Sequence, residues 1–244
     1  MPYERRTYRT RASAAGLVPF AVRMGESNLM VCAPRDLTGL AREALSAVRR
    51  ELHVYRRVHP AFFEALEPVD VDRDAPPVAR QMANAARACC VGPMAAVAGA
   101  IAARVGMRLL EECDDVIVEN GGDVFLKSAA PRTVGIFAGR SALSGKIAVA
   151  VPGSAEPVGV ACSSATVGPS MSFGSADAAV VVARDAALAD AAATGLGNRV
   201  RSRGDFERAL GWVVALDGVR GGVLILGEEL GAQGEIELAA AEAT

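Results

Sequence analysis

Val116-Ile117-Val118-Glu119-Asn120-Gly121-Gly122-Asp123-Val124-Phe125-Leu126 reads as a strand, a tight turn and a second strand. Val, Ile and Phe suit a pleated, half-buried surface, and the paired glycines between them supply the positive φ of a hairpin turn. Upstream, the runs Leu17 to Val22 and Leu29 to Cys32 flank the polar turn Gly25-Glu26-Ser27-Asn28, which predicts another hairpin. Further strands are expected over 134–138, 147–151, 178–183 and 223–226. Strands that follow one another without an intervening helix argue for antiparallel pairing, so the fold class is α+β rather than a doubly wound parallel sheet.

Helical spacing begins after Asp36, where Leu37, Leu40, Ala41, Ala44, Leu45, Val48, Leu52 and Tyr55 recur with Arg42, Arg49, Arg50 and Arg56 between them. This predicts a long helix with one face on a sheet. The Ala-rich stretches 78–90 and 94–112, broken at Gly92-Pro93, read as two successive helices. The second opens with side chains small enough to lie flush on another element. Helices are also expected over 185–196 and 205–212. Pro68, Asp70, Asp72, Asp74, Pro76 and Pro77 form the one candidate linker, read as a surface loop, so residues 1–244 are taken as a single domain.

Composition narrows the function classes. With 51% hydrophobic and 22% charged residues in 244, the chain has material for a core and is not a disordered sequence. A formal net charge of −2 offers no bulk attraction to nucleic acid or anionic lipid; Arg5, Arg6, Arg9 and Arg11 are read as a solvated strand edge. The apolar stretch Ala88 to Ala103 falls short of the ~20 residues of a spanning helix and is expected to be buried in protein. The N-terminus carries no apolar run after its charges, and the five cysteines are odd in number with no C-x-x-C; together these predict a cytoplasmic protein with reduced thiols. His53 and His59, the only histidines, leave little for a histidine metal site or triad. Any catalysis would fall to carboxylates, hydroxyls or backbone amides.

Three segments have polar groups that suit chemistry. In Asn120-Gly121-Gly122-Asp123, the glycines expose backbone amides beside an amide and a carboxylate side chain; an ordinary hairpin turn uses the same residues. The uncharged, hydroxyl-rich stretch 162–174 includes Ser163, Ser164 and Thr166, and it can cradle a phosphate or a flavin edge, or serve as a plain surface loop. Asp190 and Thr194 stand one turn apart on an expected helix, a spacing that lets a carboxylate and a hydroxyl address one hard cation or simply face solvent.

The segments Val91-Gly92-Pro93-Met94-Ala95-Ala96-Val97-Ala98-Gly99-Ala100-Ile101-Ala102, Val118-Glu119-Asn120-Gly121-Gly122-Asp123 and Ala189-Asp190-Ala191-Ala192-Ala193-Thr194 resemble, in order, motifs of ApbE-like proteins. The resemblance runs from about Val18 to Leu238 for an uncharacterised cytoplasmic branch of that superfamily, and over roughly 90–200 for the flavin transferases proper. It implies T-fold-like layers of helices on a largely antiparallel sheet. It implies FAD or FMN and Mg2+ as cofactors, and FMN transfer to a Ser or Thr of a partner protein as the activity. By resemblance Asp190 and Thr194 are the catalytic Mg2+ ligands, while Asn120, Gly121, Gly122, Asp123, Ser163, Ser164 and Thr166 belong to the flavin site.

Two departures bear on catalysis. A Lys-Gly pair of the transferases is replaced by the apolar run Ala95 to Ala98, and Ala165 and Pro169 stand where the transferase loop has glycine and histidine. Catalysis is thus left open, with two alternatives to transfer. One is a non-flavin role in sulfur assimilation and homocysteine formation, which would draw on Cys89, Cys90 or Cys162; the other is a non-catalytic flavin-binding or scaffold protein. The expected partners are a flavin nucleotide and a protein acceptor, with no nucleic acid and no membrane. The oligomeric state is open to a homodimer through the apolar helix 94–103.

Overall fold

A computed structural model describes residues 14–164 and 173–241. Its centre is an eight-stranded sheet, antiparallel at every pairing, in the order β1 (Val18–Met24), β2 (Ser27–Ala33), β3 (Val116–Asn120), β4 (Asp123–Ser128), β7 (Ser154–Ser163), β8 (Ala178–Ala183), β9 (Val219–Leu226) and β10 (Glu229–Gly234). A second, three-stranded sheet runs β11 (Glu237–Ala240), β6 (Ile147–Val151), β5 (Arg132–Gly135). The helices are α1 (Thr38–Val58), α2 (Pro60–Glu64), α3 (Pro77–Cys89), α4 (Val97–Leu109), α5 (Ala186–Asn198) and α6 (Phe206–Val214).

Side-chain alternation along β8 explains the layering. All six of its residues are buried; Ala179, Val181 and Ala183 enter the core beneath the helices, and Ala178, Val180 and Val182 enter a second core. A strand buried on both faces must read as a continuous apolar run, which is how 178–183 reads. The second core is closed by the small sheet, through Val149 and Val151 of β6 with Ile136 and Ala138 beyond β5. The architecture is therefore helices on an antiparallel sheet on a smaller sheet, the α+β layering expected.

The helical layer has an outside and an inside. α1 buries Ala41, Leu45, Val48, Leu52 and Tyr55 and exposes Arg42, Arg50, Arg56 and Arg57, while the half-buried Arg49 donates to Ser27 Oγ and Glu26 Oε2. α5 is the inner helix, packed against α3, α4, β7 and β8, and ten of its thirteen residues are buried. Its seat is made by glycines: a Cβ on Gly159 of β7 would lie 2.4 Å from the Cα of Ala186. The helix start is held by Asp185, whose Oδ1 accepts the Ala187 amide at 2.9 Å and the Gln81 Nε2 of α3 at 3.0 Å. The apolar stretch 88–103 packs inward as expected, with Cys89, Ala96, and Ala100 to Ala103 buried, although 93–96 forms a 3-10 turn before α4. No single helix among the described residues is long and apolar enough to cross a membrane.

Candidate functional site

The β3–β4 hairpin turn is built as its glycines predict. Asn120 pairs with Asp123, and between them Gly121 and Gly122 have φ of 74° and 112°, the double positive φ of a type I′ turn. A Cβ on Gly122 would meet nothing closer than the Cys162 carbonyl oxygen at 3.8 Å. Backbone strain alone therefore sets the cost of Gly122→Ala, expected at about 1–2 kcal/mol in urea unfolding.

Period two carries the turn's side chains to the helical face. Val118 and Phe125 pair across β3 and β4 and lie in the core under the helices, so Asn120 and Asp123, two positions on, point the same way. Both are buried. Asn120 Nδ2 donates to the Ala98 carbonyl at 3.1 Å, in the first turn of α4.

Asp190 arrives at the same turn from α5. Its Oδ2 accepts the Gly99 amide at 2.9 Å, and the Ala98 amide also bonds to the carboxylate. First-turn amides of a helix lack intrahelical partners and carry the positive end of its dipole, so a carboxylate suits this place. Burial nevertheless pushes the carboxyl up to about 7, against the pull of the two amides. Asp190, Thr194 and Asn198 form the partly exposed stripe of α5, spaced four residues apart, whereas their neighbours Ala191, Ala192, Ala193, Gly195, Leu196 and Gly197 are buried.

The far end of that stripe meets β7. Ser163 Oγ stands 3.9 Å from where a Cβ of Gly197 would be, and Asn198 Oδ1 accepts the Phe173 amide at 2.9 Å. Ser163 is the last residue of β7 rather than part of a loop, and Ser164 follows it. Thr166 lies outside the described residues, as do Ala165 and Pro169. Of the expected site residues, Asn120 and Asp190 are bonded to one turn of α4, Asp123 pairs with Asn120, and Thr194 and Ser163 extend the group along α5.

The donor set is one of oxygens. Among the described residues no three His, Cys, Asp or Glu gather as a metal cluster. One carboxylate and one hydroxyl are the oxygen donors that fit a hard cation such as Mg2+, which keeps several waters and takes few protein ligands. A thiol site is a poorer fit. Burial pushes the Cys89 and Cys162 thiols up to about 12, while Cys90 is exposed in a left-handed cap of α3 with φ of 56°. Cys90 should react with a maleimide at pH 8 at least roughly tenfold faster than Cys89 or Cys162, read by peptide mass spectrometry.

Sequence reasoning missed the joint between the motifs. The available signal was Gly99 itself, since a glycine inside a helix costs about 1 kcal/mol relative to alanine and so marks a close approach.

The layers and their order define an ApbE-type fold. The apo flavinyl transferase ApbE of Pseudomonas stutzeri superposes with a TM-score of 0.52 at 14% identity, covering 89% of this chain and 94% of that one. The flavin transferase ApbE of Vibrio cholerae gives a TM-score of 0.50 at 13% identity, over 92% and 97%. The family model described as "AbpE bacteria" matches residues 9–213, and the chain belongs to that ApbE-like family. The chain is also similar to several "UPF0280 proteins". That of Methanocella arvoryzae is 38% identical over 212 residues, 86% of each chain. That of Methanosphaerula palustris is 43% identical over 201 residues, 81% of this chain and 82% of its own.

Proposed function

We propose that this chain binds a flavin nucleotide, FAD or FMN, along the polar stripe of α5, with Mg2+ held by Asp190 and Thr194. The observation that carries the reading is the convergence of Asn120 and Asp190 on the first turn of α4. Residues from three separate segments are thereby tied into one polar group in an otherwise apolar layer. The flavin transferases among the structural neighbours and the family membership support the ligand class.

Each residue has a task in this reading. Asn120 braces the turn so that the Gly121 and Gly122 amides face the ligand, and Asp123 and Ser163 offer polar groups on either side. When bound, Mg2+ supplies positive charge to a diphosphate. In the fuller form of the proposal, an acceptor Ser or Thr hydroxyl oxygen attacks the FMN phosphorus. The bond to AMP breaks, AMP leaves and the hydroxyl proton passes to water. The apolar run Ala95 to Ala98 supplies no cation where the transferases carry a Lys-Gly pair, which favours a second reading of flavin binding without transfer.

A fluorescence titration with FAD tests the binding, and AMP release separates the two readings. Saturable quenching is expected with Mg2+ present, weakened at least about tenfold when the cation is chelated. An unquenched signal at high FAD would sink the flavin assignment and bring forward the sulfur role, checked by growth of a deletion strain on sulfide alone.

A further inference from the structure

Gly99 is buried at the closest approach of α4 and α5. A Cβ at this position would stand 2.1 Å from the Ala186 carbonyl oxygen and 2.9 Å from the Cβ of Asp190. Ala186 cannot yield, because its other side rests on Gly159, where an added Cβ would come within 2.4 Å of the Ala186 Cα. The start of α5 is further held by the bonds of Asp185 to Ala187 and to Gln81. The same Gly99 donates its amide to Asp190 Oδ2 at 2.9 Å. One residue therefore sets both the spacing of the two helices and the hold on the carboxylate.

We propose that Gly99 is a positioning residue for the Asp190 carboxylate. Its missing side chain brings α4 close enough for first-turn amides to grip the carboxylate, and this grip fixes Asp190 on the stripe it shares with Thr194. The consequence for cation binding rests on the reading of Asp190 and Thr194 as cation ligands; the grip itself does not. A partner that orients a metal ligand is worth about 10- to 100-fold in metal affinity. Gly99→Ala moves α4 away from α5 and loses that share, because the clash is with backbone that is pinned from behind.

Hydrogen exchange and Mn2+ titration calorimetry on the full chain test the two parts separately. The Gly99 amide has no intrahelical acceptor, so its protection should depend on Asp190. In Asp190→Ala that amide is expected to exchange at least about tenfold faster, while amides deeper in α4 keep their protection. Asp190→Asn, which retains a side-chain oxygen, should keep it protected. Gly99→Ala should weaken Mn2+ binding at least about tenfold. Gly106→Ala serves as the control, because its Cβ would strike the Phe125 ring at 2.1 Å away from Asp190. It should lower stability yet leave Mn2+ affinity unchanged. Unaltered protection of the Gly99 amide in Asp190→Ala overturns the proposal, as does equal loss of Mn2+ affinity in Gly106→Ala and Gly99→Ala. Wild-type protein that shows the exchange pattern but binds no Mn2+ overturns the cation-ligand reading and leaves the positioning of Asp190 established.

Discussion

Asp190→Asn is expected to abolish the proposed Mg2+-dependent flavin binding and to remove a fall in stability between pH 5 and pH 8 that is expected of wild-type protein without metal. The first effect follows from losing the only charge in the proposed ligand pair. The second follows from burial, which raises the folded-state carboxyl from 3.8 to about 7. Below about pH 4 the group is protonated in both folded and unfolded chains and costs nothing. As pH rises toward 7 the unfolded chain gives up its proton while the folded one keeps it, so the folded state loses ground, and the penalty is complete above about pH 7. At about 1.4 kcal/mol per unit, the roughly two units between pH 5 and pH 7 set a ceiling of about 3 kcal/mol on the fall; partial exposure of the side chain brings the expectation to about 2 kcal/mol.

Urea midpoints at the two pH values, for both chains, measure this. Mg2+ at roughly a hundred times its dissociation constant should return about 2.7 kcal/mol to wild-type protein at pH 8 and nothing to the variant. A wild-type midpoint that rises with pH in step with the variant would show that Asp190 titrates as an ordinary surface carboxylate.

Gly159→Ala is expected to cost about 3 kcal/mol and to impair the site from a distance. The new methyl would fall 2.4 Å from the Cα and 2.5 Å from the nitrogen of Ala186. These are backbone atoms of a helix already held at its start through Asp185, so relief requires α5 to lift off β7. Overpacking of a well-filled core costs about 1–3 kcal/mol, and a backbone obstacle belongs at the upper end. Gly197→Ala is the contrast, since its Cβ would meet Ala179 at an ordinary 3.5 Å. It should change the urea midpoint by less than about 0.5 kcal/mol. Similar midpoints for the two variants would mean that α5 is not wedged at Gly159.

The elements that are readable in the sequence are those whose residues meet local demands. Gly121 and Gly122 announce the β3–β4 turn because only a residue without Cβ takes those φ values cheaply. The six buried residues of β8 and the apolar spacing of α1 are equally direct. β7 escapes such a reading. Ser154, Glu156, Pro157 and Gly159 are poor strand formers, and Pro157 sits where the register against β4 shifts between Leu126 and Ser128. What makes this segment a strand is the pair of neighbours β4 and β8 that sandwich it. β10, a two-glycine edge strand, depends in the same way on β9.

For the proposed site, the sequence by itself determined which groups are available: oxygen donors at Asp190 and Thr194, a glycine turn between Asn120 and Asp123, and hydroxyls beginning at Ser163. Side-chain type and helical or strand periodicity are local properties, so they can be read without coordinates. Only the tertiary structure decided that Asn120 and Asp190 meet at Ala98 and Gly99, because that meeting depends on two helices approaching to the distance a missing Cβ allows. No local pattern encodes the distance between segments some ninety residues apart; it is set by the packing of α4, α5 and the sheet beneath them.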